Sequence, residues 1–173
     1  GDEELEQSHI EALLAKQVDG FIFLNGYQVK NKPLPISRDT QIPAVFLYQY
    51  TEHPGIHSVI PDDLQGGRIA VQHLIELGHQ RIGLVNGPAA YEASGLRLQG
   101  YQQALNEAGF VFDPLLVQSG DWNQTAAYHM TNSLLEMEFP PTAIFCTSDL
   151  FALGVDAAVR ERGLHIPEDI SLV

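Results

Sequence analysis

Asp62-Asp63, Ser148-Asp149, the pair His53 and His57, and Gly66-Gly67 are the groupings in this chain whose residue types could do chemistry. Two adjacent carboxylates invite comparison with a glycosidase pair, but neighbours in sequence do not by themselves flank a scissile bond, and no second acidic pair is placed to help. His53 and His57 are four apart, yet Pro54-Gly55 breaks the helix that would put them on one face, and no Cys- or His-rich cluster accompanies them. No metal site is expected. Gln65-Gly66-Gly67-Arg68 lacks the long spacing and the Lys-Ser/Thr ending of a phosphate loop. No GxGxxG follows a strand and no nucleophile can be named with its base, so neither an enzyme nor a cofactor is expected. The single cysteine, Cys146, lies in the apolar run Ala143 to Cys146, which rules out an internal disulfide and reads as a small buried residue.

The elements that position these residues are clearest between Gly66 and Pro88. Ala70, Val71, Leu74, Ile75 and Leu77 recur at helical spacing, and Gly78 follows where a left-handed residue can end the helix. Ile82 to Val85 is short, apolar and bounded by turn residues, which suits a parallel strand buried on both faces. Asn86-Gly87-Pro88 closes it. Loops leaving the carboxyl ends of strands line the ligand crevice of an open α/β sheet, so a site is expected there.

The rest of the chain repeats this alternation. Asp2 to Lys16 reads as an amphipathic helix carrying Leu5, Ile10, Leu13 and Leu14, and Phe21 to Leu24 as a buried strand. Asn25 to Gln41 is polar and proline-bearing, with room for a short helix between Ser37 and Gln41. Ala44 to Tyr48 and Ser58 to Ile60 read as strands, and Pro61-Asp62-Asp63 breaks the second. Beyond Pro88, Arg97, Tyr101, Ala104, Leu105 and Ala108 mark a helix stopped by Gly109, and Leu115 to Gln118 a strand. Asn123 or Asp121 can cap the next helix; after the strand Thr142 to Cys146, Ser148 or Asp149 can cap another, which stops at Gly163. Ile170 to Val173 begins a last strand. Helices of ten to fifteen residues between short strands predict parallel βαβ units.

Bulk properties agree with a folded protein: 45% hydrophobic and 18% charged residues over 173 positions. No apolar run approaches the roughly 18 residues of a membrane span, and no signal peptide is evident, so no membrane partner and a cytoplasmic location are expected. Nine basic residues face 22 acidic ones, a net charge of −13, and the basic residues are scattered. Such a surface repels phosphate backbones, so the chain alone is not expected to bind DNA.

The stretch GGRIAVQHLIELGHQRI resembles the lactose-repressor and galactose-repressor (LacI/GalR) family of bacterial transcriptional regulators, in their effector-binding core. LRLQGYQQALNEAG (96–109), GDW (120–122) and PPTAIFCTSDLFALGVDAAVRERGLHIPEDISLV (140–173) resemble the same family in the same order. The resemblance implies a periplasmic-binding-protein-like (type I) α/β fold of two Rossmann-like lobes, each a parallel sheet flanked by helices, with a ligand cleft between them. Residues 1–61 would form part of an incomplete N-terminal lobe, without its earlier strand, helix and strand, and residues 62–173 most of the C-terminal lobe. No helix-turn-helix segment is expected within residues 1–173.

Carried over residue by residue, the resemblance implies that Arg97, in LRLQGY, holds effector hydroxyls. A guanidinium fork can bridge two neighbouring oxygens of a sugar; the competing reading is a helix-surface ion pair. Trp122, in GDW, matches an aromatic that stacks on the apolar face of a pyranose, against the competing reading of a staple over the helix start. Ser148 and Asp149 stand where the family usually has Asn-Asp; Asp149 is taken as the helix cap and Ser148 as the residue that can face the ligand. Asp62 sits with Asp63 at the implied crossover, where a carboxylate can accept hydrogen bonds from sugar hydroxyls. Tyr48-Gln49 replaces the family's common Asp-Arg, which exchanges hydrogen bonding for stacking. Tyr91, Ala93 and Asn25 complete the expected lining.

The function so implied is a ligand-sensing, sugar-binding domain whose effector alters how a homodimer presents headpieces to operator DNA. The alternative on the same two-lobe plan is a periplasmic sugar-binding receptor of an ABC transporter. The resemblance implies that the family's next ligand residue typically falls beyond Val173, so effector binding by these 173 residues alone is expected to be weak or absent compared with the intact protein.

Overall fold

The architecture is that of a computed structural model, which describes residues 3–24, 42–48 and 57–173. The chain divides into two compact units, Gly1–Pro61 and Asp62–Val173. In the first, α1 (Glu3–Ala15) precedes a parallel three-stranded sheet of β1 (Phe21–Leu24), β2 (Ala44–Leu47) and β3 (His57–Val59), in that spatial order. Phe21, Phe23 and Phe46 stack in succession across β1 and β2 with centroids 5.5 and 4.8 Å apart. Of the apolar face expected on α1, Ile10 is buried and Leu14 half-buried, whereas Leu5 and Leu13 are exposed. The short helix expected between Ser37 and Gln41 lies outside the described residues.

The second unit carries the better-formed core. Its order is α2 (Asp63–Glu76), β4 (Ile82–Asn86), α3 (Glu92–Glu107), β5 (Val117–Ser119), α4 (Gln124–Leu135), β6 (Ala143–Cys146), α5 (Asp149–Glu161) and β7 (Ser171–Leu172). The strands form one parallel sheet in the order β5-β4-β6-β7. Strand alternation sorts the apolar side chains into two layers. Ile82, Leu84, Ala143 and Phe145 pack with Val71 and Leu74 of α2 and Tyr101, Ala104 and Leu105 of α3. Val85 and Ile144 point the other way, against Ala127, Met130 and Leu134 of α4 and Phe151, Val155 and Val159 of α5. A sheet covered on both faces explains why β4 and β6 read as unbroken apolar runs.

Local chemistry sets the helix ends. Asp62 caps α2, its carboxylate accepting from Gln65 N at 3.0 Å, and Gly78 ends that helix at φ 97°. Asn123, not Asp121, caps α4. At α5 the expectation is corrected. Ser148 has the extended backbone of a cap and its hydroxyl accepts from Leu150 N, so Asp149 is the first helical residue and not the cap. The expected strand at Leu115 starts later, because Asp113 and Pro114 nucleate one turn of 3-10 helix over Pro114–Leu116 before β5. Leu77, expected on the buried face of α2, is exposed at its carboxyl end.

Three residues of the stretch Gly78 to Ile82 knit the amino edge of the sheet. His79 bridges the hydroxyls of Thr142 and Ser171 at 2.9 Å each, just ahead of β6 and at the start of β7. Arg81 donates to Phe139 O at 2.6 Å and to Asp113 at 3.1 Å, ahead of β6 and β5. The carbonyl of Ile82 accepts from the fully buried Tyr101 hydroxyl at 2.8 Å. Burial pushes that phenol well above its usual range, so it stays a donor.

Helices α2 and α3 cross backbone to backbone. A Cβ on Gly100 would stand 2.6 Å from Arg68 N, and one on Gly67 2.9 Å from Arg97 Cα. Gly154 does the same for α4 and α5, where a Cβ would meet Tyr128 N at 2.8 Å. Gly100→Ala is therefore expected to cost about 3 kcal/mol of stability, since rigid backbone stands in the way. Gly95→Ala, in the same helix with open space around it, is expected to gain about 0.5–1 kcal/mol. Urea unfolding of both variants checks the pair, and equal effects would refute the tight crossing.

Candidate functional site

The topological switch of the second sheet falls between β4 and β6, because the connection from β4 runs to β5 on one side while β6 lies on the other. Loops diverge at such a point and leave a crevice at the carboxyl edge. There, Asn86 is almost fully buried; its amide donates to Ser94 O at 2.9 Å and its side-chain oxygen accepts from Gly87 N at 3.0 Å. Thr147 N donates to Val85 O at 3.1 Å, which sets the start of the β6–α5 turn against β4.

Arg97 reaches across this edge from the second turn of α3. Its Nε and Nη2 both lie 2.8 Å from Asp63 Oδ1, and Nη1 donates to Thr147 O at 2.5 Å. Asp63 is only 5% exposed, so its charge needs that partner. A cavity of about 540 Å³ opens beside the pair, lined by Asp62, Asp63, Arg97, Thr147, Ser148 and Asp149 among others. Its size is ordinary for a small-molecule site. The structure thus brings Arg97, Asp62 and Ser148 together at one cavity, and Arg97 is engaged there in an ion pair, partly buried and not on an open helix surface.

Trp122 belongs to a neighbouring aromatic group and is not among the residues lining that cavity. Its ring stacks on Phe151 at 5.1 Å and 13°, and Tyr91 meets it edge-on at 6.0 Å. Gly87 lies so close beneath that a Cβ there would come within 2.6 Å of the indole. The indole N–H is buried without a partner among the described residues. Phe151 stands in the first turn of α5, the same turn whose Ser148, Asp149 and Ala152 line the cavity, so the two groups flank one helix start. Ala93 is half-buried in the first turn of α3, between Tyr91 and Arg97 in sequence. Tyr48 belongs to the first unit, where it follows β2, half exposed, at φ 61°. Asn25 lies outside the described residues.

Sequence reasoning missed four contributors. Thr147 offers its backbone carbonyl, which no side-chain pattern reveals. Gly67 and Gly100 carried a usable signal, since glycine inside a helix usually marks a close approach. Cys146 lines the cavity half-buried, with its thiol pushed up to about 11 by burial. Among the described residues, no group of three or more His, Cys, Asp or Glu side chains could hold a metal ion, and no helix is long and apolar enough to cross a membrane.

Replacing Arg97 by Met leaves the buried carboxylate of Asp63 uncompensated and is expected to cost about 3 kcal/mol. Adding Asp63→Leu removes the stranded charge and is expected to recover most of that loss. Chemical denaturation of the single and double variants measures both; equal stability of the wild type and Arg97→Met would show that the pair carries no load.

Compared with known proteins, residues 1–173 match the family described as periplasmic binding proteins and sugar binding domain of LacI family. The HTH-type transcriptional repressor CytR of Escherichia coli (strain K12) is 34% identical over 168 residues, covering 97% of this chain and 49% of the repressor. Among solved structures, a transcriptional regulator CelR–cellobiose complex is similar at a TM-score of 0.77 and 33% identity, covering 97% of this chain and 52% of that one. The lac repressor dimer bound to operator and the anti-inducer ONPF is similar at 0.77 and 31%, covering 99% and 59%. The chain spans about half the length of repressors such as CytR. A family match along the whole chain, on a parallel α/β fold with its cavity at the carboxyl edge, places this chain in the family of periplasmic binding proteins and LacI-type sugar-binding domains.

Proposed function

We propose that this chain is the effector-sensing part of a bacterial DNA-binding repressor, and that its ligand is a small polyhydroxylated molecule, a sugar or a sugar-bearing compound. The observation that carries the proposal is Arg97, fixed by Asp63 and the Thr147 carbonyl at the wall of a cavity of about 540 Å³. A guanidinium held at three atoms needs no further ordering to receive neighbouring hydroxyls. Ser148 and Asp62 add acceptor lone pairs beyond those spent on capping. Trp122 and Tyr91 supply aromatic surface close by. Residues 1–61 are read as part of the N-terminal lobe and 62–173 as most of the C-terminal lobe.

The mechanism is a population shift. An effector that binds one arrangement of the protein better than another changes how a homodimer offers its DNA-reading headpieces to the operator, by no more than that difference in affinity. The protein acts in the cytoplasm and performs no turnover of its ligand. CytR, CelR and the lac repressor are regulators, which favours this reading over that of a transport receptor.

Trp122 is the only tryptophan and Cys146 the only cysteine, so each reports from one place. In the protein that carries this chain, at least one saccharide or nucleoside is expected to give a saturable change in Trp122 fluorescence. Arg97→Ala is expected to weaken that binding by on the order of 100-fold, the loss of charge-assisted hydrogen bonds. Because burial pushes the Cys146 thiol up to about 11, alkylation is expected to be slow at neutral pH and to speed up about tenfold per pH unit as thiolate forms. Saturating ligand should slow it at every pH. A folded protein that shows no response to any saccharide or nucleoside ends the proposal.

A further inference from the structure

Charge around the cavity narrows the ligand class, an inference that rests on the sensing role just proposed. Three carboxylates line the cavity, Asp62, Asp63 and Asp149, against a single guanidinium, Arg97, among the described residues. That guanidinium keeps spare N–H groups for hydroxyls, but its charge is already matched. Two of its nitrogens face Asp63 Oδ1 and the third the Thr147 carbonyl, so its charge is neutralised within the wall.

Two helix starts also open on the cavity, those of α2 and α5. Helix amino termini attract anions, because unpaired N–H groups and the helix dipole both favour negative charge. Here each start has filled that role from its own sequence. Asp62 caps α2 and Asp63 is its first residue; Ser148 caps α5 and Asp149 is its first residue. What remains facing the cavity is a surplus of negative charge, inside a chain whose net charge is −13.

We infer that the site selects uncharged or amine-bearing polyhydroxylated ligands and excludes their phosphorylated forms. A phosphate would meet two unneutralised carboxylates, Asp62 and Asp149, and among the described residues lining the cavity no free cation receives it. Exclusion by repulsion is a specificity device in its own right, independent of how well the accepted ligand is held. Asp149 is the residue that contributes most cleanly to it, since it is exposed and does not serve as a cap.

The test is isothermal titration calorimetry on the protein that carries this chain, with matched ligands: glucose, glucosamine and glucose 6-phosphate; ribose and ribose 5-phosphate; adenosine and adenosine 5′-monophosphate. In whichever set binds, the phosphorylated member is expected to be weaker than its neutral partner by at least about tenfold at low salt. The gap is expected to shrink as salt is added, because exposed charges are screened. Asp149→Asn, which removes a charge while keeping shape, is expected to shrink it as well. A phosphorylated ligand that binds as tightly as its neutral partner overturns the charge selection and leaves the sensing role standing. A gap untouched by Asp149→Asn overturns the assignment to these carboxylates. If no saccharide or nucleoside, in these sets or beyond them, binds to folded protein, the sensing role falls and the selection falls with it.

Discussion

An ionised carboxylate buried at the start of a helix costs several kcal/mol unless a cation meets it, and in the second unit that demand organises the edge on which the cavity opens. Asp63 opens α2, Arg97 answers from α3, and the same guanidinium takes the carbonyl of Thr147 at the end of β6. One ion pair therefore fixes two helices and a strand end relative to each other. It works only because α2 and α3 approach without intervening side chains, and Gly67 and Gly100 make that approach sterically open. Packing and electrostatics are not separable here. Fill the crossing, and the carboxylate and guanidinium move apart; remove the guanidinium, and the crossing holds a bare charge.

Much of the lobe was legible in the sequence because its strands are covered on both faces. β4 and β6 are continuous apolar runs, and no exposed face competes for polar residues, so their existence and type followed directly. The helices followed from their spacing and from Gly78, Gly109 and Gly163, all of which adopt positive φ beyond a helix end. Illegible were distinctions that depend on backbone angles of one or two residues. Ser148 and Asp149 can both cap a helix, and only the extended conformation of Ser148 settles the choice. Leu115 fits a strand by composition, yet Asp113 and Pro114 turn the chain first.

The candidate site was legible to a different degree. Arg97, Asp62 and Ser148 converge on one cavity, whereas Trp122 and Tyr91 group with Phe151 over Gly87. Sequence spacing cannot distinguish the two, because every one of these residues follows a strand's carboxyl end. What separates them is which side of α5 each approaches, a matter of tertiary packing. The role of Asp63 as the fixed counter-charge likewise needed its burial and the reach of Arg97 to be seen.

His79 and Arg81 have a consequence of their own. Between them they pin the amino ends of β5, β6 and β7, on the side of the sheet away from the cavity. The lobe is thus built like a hand fan, riveted at the handle and open along the rim. The lining of the rim can be rewritten residue by residue while the rivets keep the blades in order; a change at a rivet would instead loosen every blade together.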